Sequence, residues 1–160
     1  MRSLTYPSRE FPGPPGVHLE VPDTWAPVRL GGTLMSCRRA SSDEGFAPSI
    51  VVRGYQRGPD FTLAEAIGEL GDYVRGQSEG RLDPPFDLEL GGTMLRGVNA
   101  SWRDAVVGQV VQIHLFASSR RGPIVDLIQV TGSVGGAEAQ RAYAEVHRIL
   151  TTLRITTQRT

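Results

Sequence analysis

The stretch "AVVGQVVQIHLFASSRRGPIVDLIQVTG", residues 105–132, decides the fold class of this 160-residue chain. It contains two runs, 105–117 and 123–132, that are rich in the β-branched residues typical of strands. Between them, "SSRRG" has the length and the glycine of a hairpin connection, so we predict that Arg120 and Arg121 lie at a hairpin tip. The stretch therefore predicts a pair of long antiparallel strands.

Strand patterns continue upstream of this hairpin. "FDLEL" and "TMLRGVNASW" flank a Gly-Gly pair suited to the positive φ of a tight turn, and Arg103-Asp104 is short enough to connect onward. Three earlier segments also have strand features, such as alternating apolar and polar residues or a start after a proline. The predicted strands before residue 105 are 16–21, 33–40, 48–56, 86–90 and 93–102.

Two helices are predicted between and after these strands. Thr62 and Glu65 have the spacing of a capping box, which satisfies the free amides of a first helical turn. The apolar residues that follow recur on one helical face, at Leu63, Ile67, Leu70 and Val74. A second apolar stripe predicts a closing helix at about 136–152.

Runs of strands joined by short turns, with helices between the runs, are typical of an α+β fold. We predict an antiparallel β-sheet of about six to seven strands flanked by helices. Residues 16–157 then form a single domain, and residues 1–15, with four prolines, form a flexible N-terminal arm.

Composition excludes several classes of function. The 17 cationic side chains balance 17 carboxylates, so no net charge attracts the chain to nucleic acid or to an anionic membrane. All of the cations are arginine, which excludes Schiff-base chemistry and a phosphate-loop lysine. A single cysteine, Cys37, excludes an internal disulfide and a multi-cysteine metal site. We expect no metal, no cofactor and no insertion into a membrane.

Two short motifs suggest functions that their contexts do not support. "LMSC" (34–37) matches a lipoprotein cleavage box, but the preceding residues have no apolar signal core. We therefore predict a buried strand cysteine and a cytoplasmic protein, or an envelope-associated one if a leader was removed.

"GQSEG" (Gly76, Ser78, Gly80) matches a nucleophile elbow, with Asp126 and His147 as possible partners. It trails a helix rather than following a strand, so we predict no hydrolase activity.

His114 is the polar residue of most interest. It shares one strand face with Gln112 and Phe116, whereas Val111, Ile113 and Leu115 occupy the other. One interpretation is a functional polar row that continues to Asp126 or Gln129 on the next strand. The favoured interpretation is an exposed or hydrogen-bonded strand face.

The chain resembles a known family across residues 16–157. "GVNASWRDAVVGQVVQIHLFASSRRGPIVDLIQVTGSVGGAEAQRAYAEVHRILTTLRITT" looks like the C-terminal part of the actinobacterial LpqN/LpqT family, and "VPDTWAPV" and "APSIVVRGY" resemble its upstream segments. The resemblance implies an α/β/α sandwich of the type seen in PsbP. Members are mostly envelope-associated lipoproteins without established catalytic residues, so the resemblance implies no catalytic positions here.

Two functions remain open from the sequence. The favoured function is that of a non-enzymatic domain that binds another protein. The alternative is a carrier of a small apolar or lipid-like ligand, or a minor enzyme. Its pocket would be lined by Trp25, Phe86 or Trp102. A cavity converging on His114 would favour the alternative. The oligomeric state is left open. The candidate binding residues are Trp25, Trp102, Gln112, His114, Arg120 and Arg121.

Overall fold

The computed structural model of the protein describes residues 1–40 and 45–156. It contains ten strands and two helices in these ranges. They are β1 (Gly16–His18), β2 (Trp25–Pro27), β3 (Met35–Arg39), β4 (Ser49–Arg57), α1 (Leu63–Arg75), β5 (Arg81–Leu82), β6 (Phe86–Leu90), β7 (Thr93–Asp104), β8 (Gly108–Arg121), β9 (Ile124–Gly135), α2 (Ala139–Leu150) and β10 (Arg154–Thr156).

Eight of these strands form one antiparallel sheet. Its order is β2-β3-β4-β9-β8-β7-β5, with β6 also paired to β7. The remaining two, β1 and β10, form a separate antiparallel pair. The predicted α+β class is confirmed. The sequence did not predict β2, β5 and β10, because strands of two or three residues are too short to show an alternating pattern.

The long strands end later than the sequence predicted. β7 runs to Asp104, whose carboxylate accepts hydrogen bonds from the amides of Val106 and Val107 at 2.8 and 2.9 Å. β8 runs to Arg121, and the turn falls on Gly122 at φ 54°. Arg120 and Arg121 are therefore strand residues, and their predicted position at a hairpin tip is wrong. The tip forms at the residue that tolerates positive φ.

The predicted helices are confirmed, and the second is shorter at both ends than the predicted 136–152. The Thr62 side chain accepts from the Glu65 amide, and the Glu65 carboxylate accepts from the Thr62 amide, so the capping box is present. The second helix begins at Ala139 rather than at 136. Gly136 has a φ of 73°, which a right-handed helix cannot contain.

The helices lie on opposite faces of the sheet and bury two separate clusters. α2 covers the side on which Ile113, Leu115 and Val130 lie. α1 covers the side on which Val98, Ala100, Phe116 and Leu127 lie. Because α1 packs mainly on β5, β7 and β8, neither described helix covers the outer part of this sheet face, which β4 and β9 form.

The end of the predicted N-terminal arm contacts the domain. Gly13 and Pro15 are buried, and the Arg121 guanidinium donates to the Pro12 carbonyl at 3.1 Å. The flexibility of residues 1–15 and the division at residue 16 stay predictions. Neither described helix has the length and apolar character of a membrane-spanning segment.

Candidate functional site

Buried and half-buried polar side chains form a hydrogen-bonded network at the centre of the sheet face that α1 partly covers. His114 on β8 is opposite Thr131 on β9, and Gln112 is opposite Ser133. His114 Nε2 lies 2.8 Å from Gln112 Oε1, and Gln112 Nε2 donates to Ser133 Oγ at 2.9 Å. His114 Nδ1 lies 3.1 Å from both the Thr131 hydroxyl and the Gln129 amide nitrogen. The polar row predicted through Gln129 is therefore formed.

These partners assign the protonation of His114. Gln112 Oε1 can only accept, so Nε2 carries the proton, and Nδ1 accepts from Thr131 and Gln129. Burial, followed by the nearby charge of Arg53, lowers the pKa of His114 to about 4. The imidazole is neutral near pH 7 with both nitrogens engaged, which does not suit a general base. The favoured interpretation of His114 was a strand face that is either exposed or hydrogen-bonded. The ring is hydrogen-bonded, but it is only 3% exposed and so is not a surface residue.

A cleft of about 440 Å³ opens above this network, between α1 and the uncovered strands. This volume is within the range of small-molecule sites, roughly 300–1,000 Å³. Side chains from β4, β8, β9 and α1 line it, and most of them are polar or aromatic. They are Arg53, Tyr55, Arg57, Ala66, Glu69, Leu70, Tyr73, Gln112, His114, Phe116, Leu127, Gln129 and Thr131.

One wall of the cleft is held in place by Arg57. Its guanidinium carbon lies 5.4 Å from the centroid of the Tyr55 ring and 5.0 Å from that of Phe61, distances typical of cation–π contacts. Its Nη2 lies 3.1 Å from a carboxylate oxygen of Glu69 on α1. The ion pair therefore links the helix to the edge of the cleft, and it offsets the charge of Arg57.

The predicted aromatic residues lie elsewhere. Trp25 is buried under α2, where its indole nitrogen donates to Glu145 at 2.9 Å. Trp102 meets the Tyr73 ring edge-on, with 6.0 Å between centroids, but it does not line the cleft. Phe86 borders a groove of only about 30 Å³ beside α2. The structure does not bring these three together around His114.

The two predicted arginines are engaged within the chain. Arg120 donates to the Pro59 carbonyl. Arg121 makes two contacts to the Asp126 carboxylate, one of them at 2.8 Å, and these contacts raise its pKa. Asp126 lies on the sheet face opposite His114, so the possible extension of the polar row to Asp126 is wrong.

The other two motifs have the positions that the sequence predicted. Ser78 follows the end of α1, and His147 lies in α2 on the opposite face of the sheet. Ser78, Asp126 and His147, the three hydrolase candidates, therefore do not converge. Cys37 is buried in β3, and that burial raises the pKa of its thiol. Within residues 1–40 and 45–156, no three His, Cys, Asp or Glu side chains cluster as metal ligands would.

Most of the cleft's outer wall was not predicted from the sequence. Arg53, Tyr55 and Arg57 alternate along β4, so they share one face. That period-two pattern was present in "RGYQR" and indicated a common face. Nothing in the sequence indicated that Glu69 and Tyr73 of α1 would lie across from them.

No protein-family model matches the chain, and no curated protein matches it. Solved structures share its fold. LpqN of Mycobacterium tuberculosis, which is involved in cell envelope biogenesis, has a TM-score of 0.73 and 16% identity over 91% of this chain and 86% of its own. PA94 of Pseudomonas aeruginosa, a protein of unknown function, has a TM-score of 0.56 and 14% identity over 92% of this chain and 100% of its own.

A third similar structure, from Bacteroides thetaiotaomicron, has a TM-score of 0.52 and 10% identity over 89% of this chain and 46% of its own. At such identities the likeness concerns the fold alone. The chain has an LpqN-like fold; membership of that family, an actinobacterial origin and the likeness to PsbP stay predictions.

Proposed function

We propose that this protein binds a small organic molecule in the cleft between α1 and strands β4, β9 and β8. The observation that carries the proposal is the cleft of about 440 Å³ whose floor consists of buried and half-buried polar side chains that are hydrogen-bonded to one another. Polar groups taken from water cost free energy unless they find partners, so a sheet face that serves only as core is usually apolar. A polar floor under an open volume supports a binding role.

The lining favours a polar ligand over the apolar or lipid-like ligand that the sequence suggested. Gln112, Gln129 and Thr131 contribute amides and a hydroxyl at the floor, and Arg53 and Arg57 contribute guanidinium groups at one side. Aromatic rings, among them those of Tyr55 and Tyr73, and three aliphatic side chains provide the apolar surface. A small molecule with a flat body and polar substituents matches this combination better than an alkyl chain does.

Binding without catalysis is part of the proposal. His114 uses both ring nitrogens in the network, and Ser78 and His147 are separated by the sheet. Docking of a protein partner, which the sequence analysis favoured, stays a prediction. Of its candidate residues, Trp25 and Arg121 already make contacts within the chain.

Nuclear magnetic resonance with a fragment library tests the proposal. A mixed library of anionic, neutral and cationic fragments is titrated into isotope-labelled protein, and the shifted amides are mapped. We expect hits that shift the amides of Arg53, His114 and Gln129, whereas amides around Glu145 and His147 on the opposite face remain unchanged and serve as the internal control. A library with no hits, or hits confined to the α2 face, would refute the proposal.

A further inference from the structure

Three ionised side chains face the cleft. Arg53 and Arg57 come from β4, and Glu69 comes from α1. Arg57 and Glu69 are 3.1 Å apart and cancel each other's charge. His114 adds no charge near neutral pH because burial lowers its pKa to about 4. The described side chains of the cleft therefore carry a net charge of +1, and that charge belongs to Arg53.

Arg53 has the position of a ligand-binding group. It is half-buried on β4, with its side chain on the cleft face and Gln129 as its cross-strand neighbour. Among the side chains that the structure describes, no carboxylate lies within 4.0 Å of its guanidinium, in contrast to Arg57, Arg96 and Arg103. Because a partly desolvated guanidinium gains most from an anionic partner, a ligand is the expected source of one.

Charge and shape together identify the class of ligand. We infer that the cleft binds a small monocarboxylate with a flat apolar body, and that the Arg53 guanidinium pairs with its carboxylate; this inference rests on the proposed ligand-binding function. One uncompensated positive charge balances one carboxylate, whereas a phosphate monoester would leave negative charge uncompensated in the cleft. The planar fork of arginine matches the two oxygens of a carboxylate. The rings of Tyr55 and Tyr73 bound the space in which the body of the ligand lies.

Three probes of similar shape test the inference: benzoate, the neutral benzamide, and phenyl phosphate. Their affinities are measured at about pH 7 by titration while the amide resonances of the cleft are followed. We expect benzoate to bind at least about tenfold more tightly than benzamide, as a charge-assisted pair with arginine should. Phenyl phosphate is expected to bind no more tightly than benzoate.

Two variants with the same change in net charge locate the effect. R53Q should remove the preference, so that this variant binds benzoate no more tightly than it binds benzamide. The matched control is R141Q on α2, where the Arg141 side chain is 85% exposed on the opposite face; it should retain the preference for benzoate. R53K keeps the charge but loses the fork, so it should retain only part of the preference.

Each outcome decides between the two proposals. A preference for benzoate that is lost in R53Q but not in R141Q supports the inference. Three outcomes would overturn the carboxylate inference but not the proposed binding cleft. They are equal binding of benzoate and benzamide, an equal loss of benzoate binding in R53Q and R141Q, and tighter binding of phenyl phosphate that depends on Arg53. If none of the three probes binds but other library fragments do, the carboxylate inference alone fails. If no fragment binds the cleft, the proposed function fails as well.

Discussion

The His114 imidazole and the Thr131 hydroxyl meet across β8 and β9, with 3.1 Å between Nδ1 and Oγ1. They are 17 residues apart in the sequence, and both are almost fully buried. The hydroxyl donates to Nδ1, so it stabilises the neutral form of the ring. Burial of the ring, followed by the nearby charge of Arg53, lowers the pKa of His114, so the stability of the domain is sensitive to pH over a defined interval.

We expect the free energy of unfolding to fall as the pH is lowered from about 6.5 to about 4. The folded protein keeps His114 neutral down to a pKa of about 4, whereas the unfolded chain binds the proton near the ordinary histidine pKa of 6.5. Protons therefore favour the unfolded state between these values, and stability is highest above 6.5. The gap corresponds to roughly 3 kcal/mol. Urea unfolding at a series of pH values measures it.

The contribution of His114 is isolated by comparison with H114Q, because other groups titrate in the same interval. The charged groups that share the cleft, Arg53, Arg57 and Glu69, are present in both proteins. We expect the difference in unfolding free energy between the wild type and H114Q to change with pH between 4 and 6.5. H18Q, which removes an exposed histidine, is the matched control. A constant difference for H114Q would show that His114 is not held neutral.

A second prediction concerns the attachment of α2 to the sheet. Trp25 donates to one oxygen of Glu145 at 2.9 Å, and Arg39 donates to the other at 2.7 Å. W25F keeps most of the buried ring but removes the donor, so it should lower the free energy of unfolding by about 1 kcal/mol more than ring size alone explains. The control is W102F, because the Trp102 indole has no hydrogen-bond partner in the described ranges. Equal losses in the two variants would contradict the role of the Glu145 contact.

The Arg121–Asp126 pair leads to a third prediction. The Asp126 side chain is 4% exposed, so R121M leaves a buried carboxylate without its cation. We expect R121M to destabilise the protein by about 3 kcal/mol, and R121M/D126L to recover part of that loss, because an apolar pair no longer buries an uncompensated charge. Thermal and chemical unfolding measure both. A double variant that is less stable than R121M would contradict this account.

Two glycines should respond to alanine with opposite signs. A Cβ on Gly132 would lie 2.4 Å from Cγ1 of Val146, so G132A should push α2 from the sheet and cost about 2 kcal/mol. Gly68 lies in exposed helix with no atom within 4 Å of an added Cβ, so G68A should stabilise α1 by about 1 kcal/mol. The double variant G132A/V146A should regain part of the loss. A neutral G132A would show that α2 packs less closely than described.

The long strands, the capping box of α1 and the division of β8 into two faces were determined locally. Gln112, His114 and Phe116 share a face because alternate side chains of any strand do, and Thr62 caps α1 through a residue only three positions away. Such features depend on neighbours in the chain, so the sequence by itself was sufficient. The hairpin boundaries were less well determined, because strands continue until a residue such as Gly122 permits the turn.

The cleft was decided only by tertiary structure. Its residues come from β4, α1, β8 and β9, and the insertion of β9 between β4 and β8 is what places Arg53 beside Gln129 and near His114. The same register buries His114 among donors and so sets its charge. Strand order, and the burial of a polar side chain such as His114, arise from contacts between distant parts of the chain, and the pattern of neighbouring residues did not specify them.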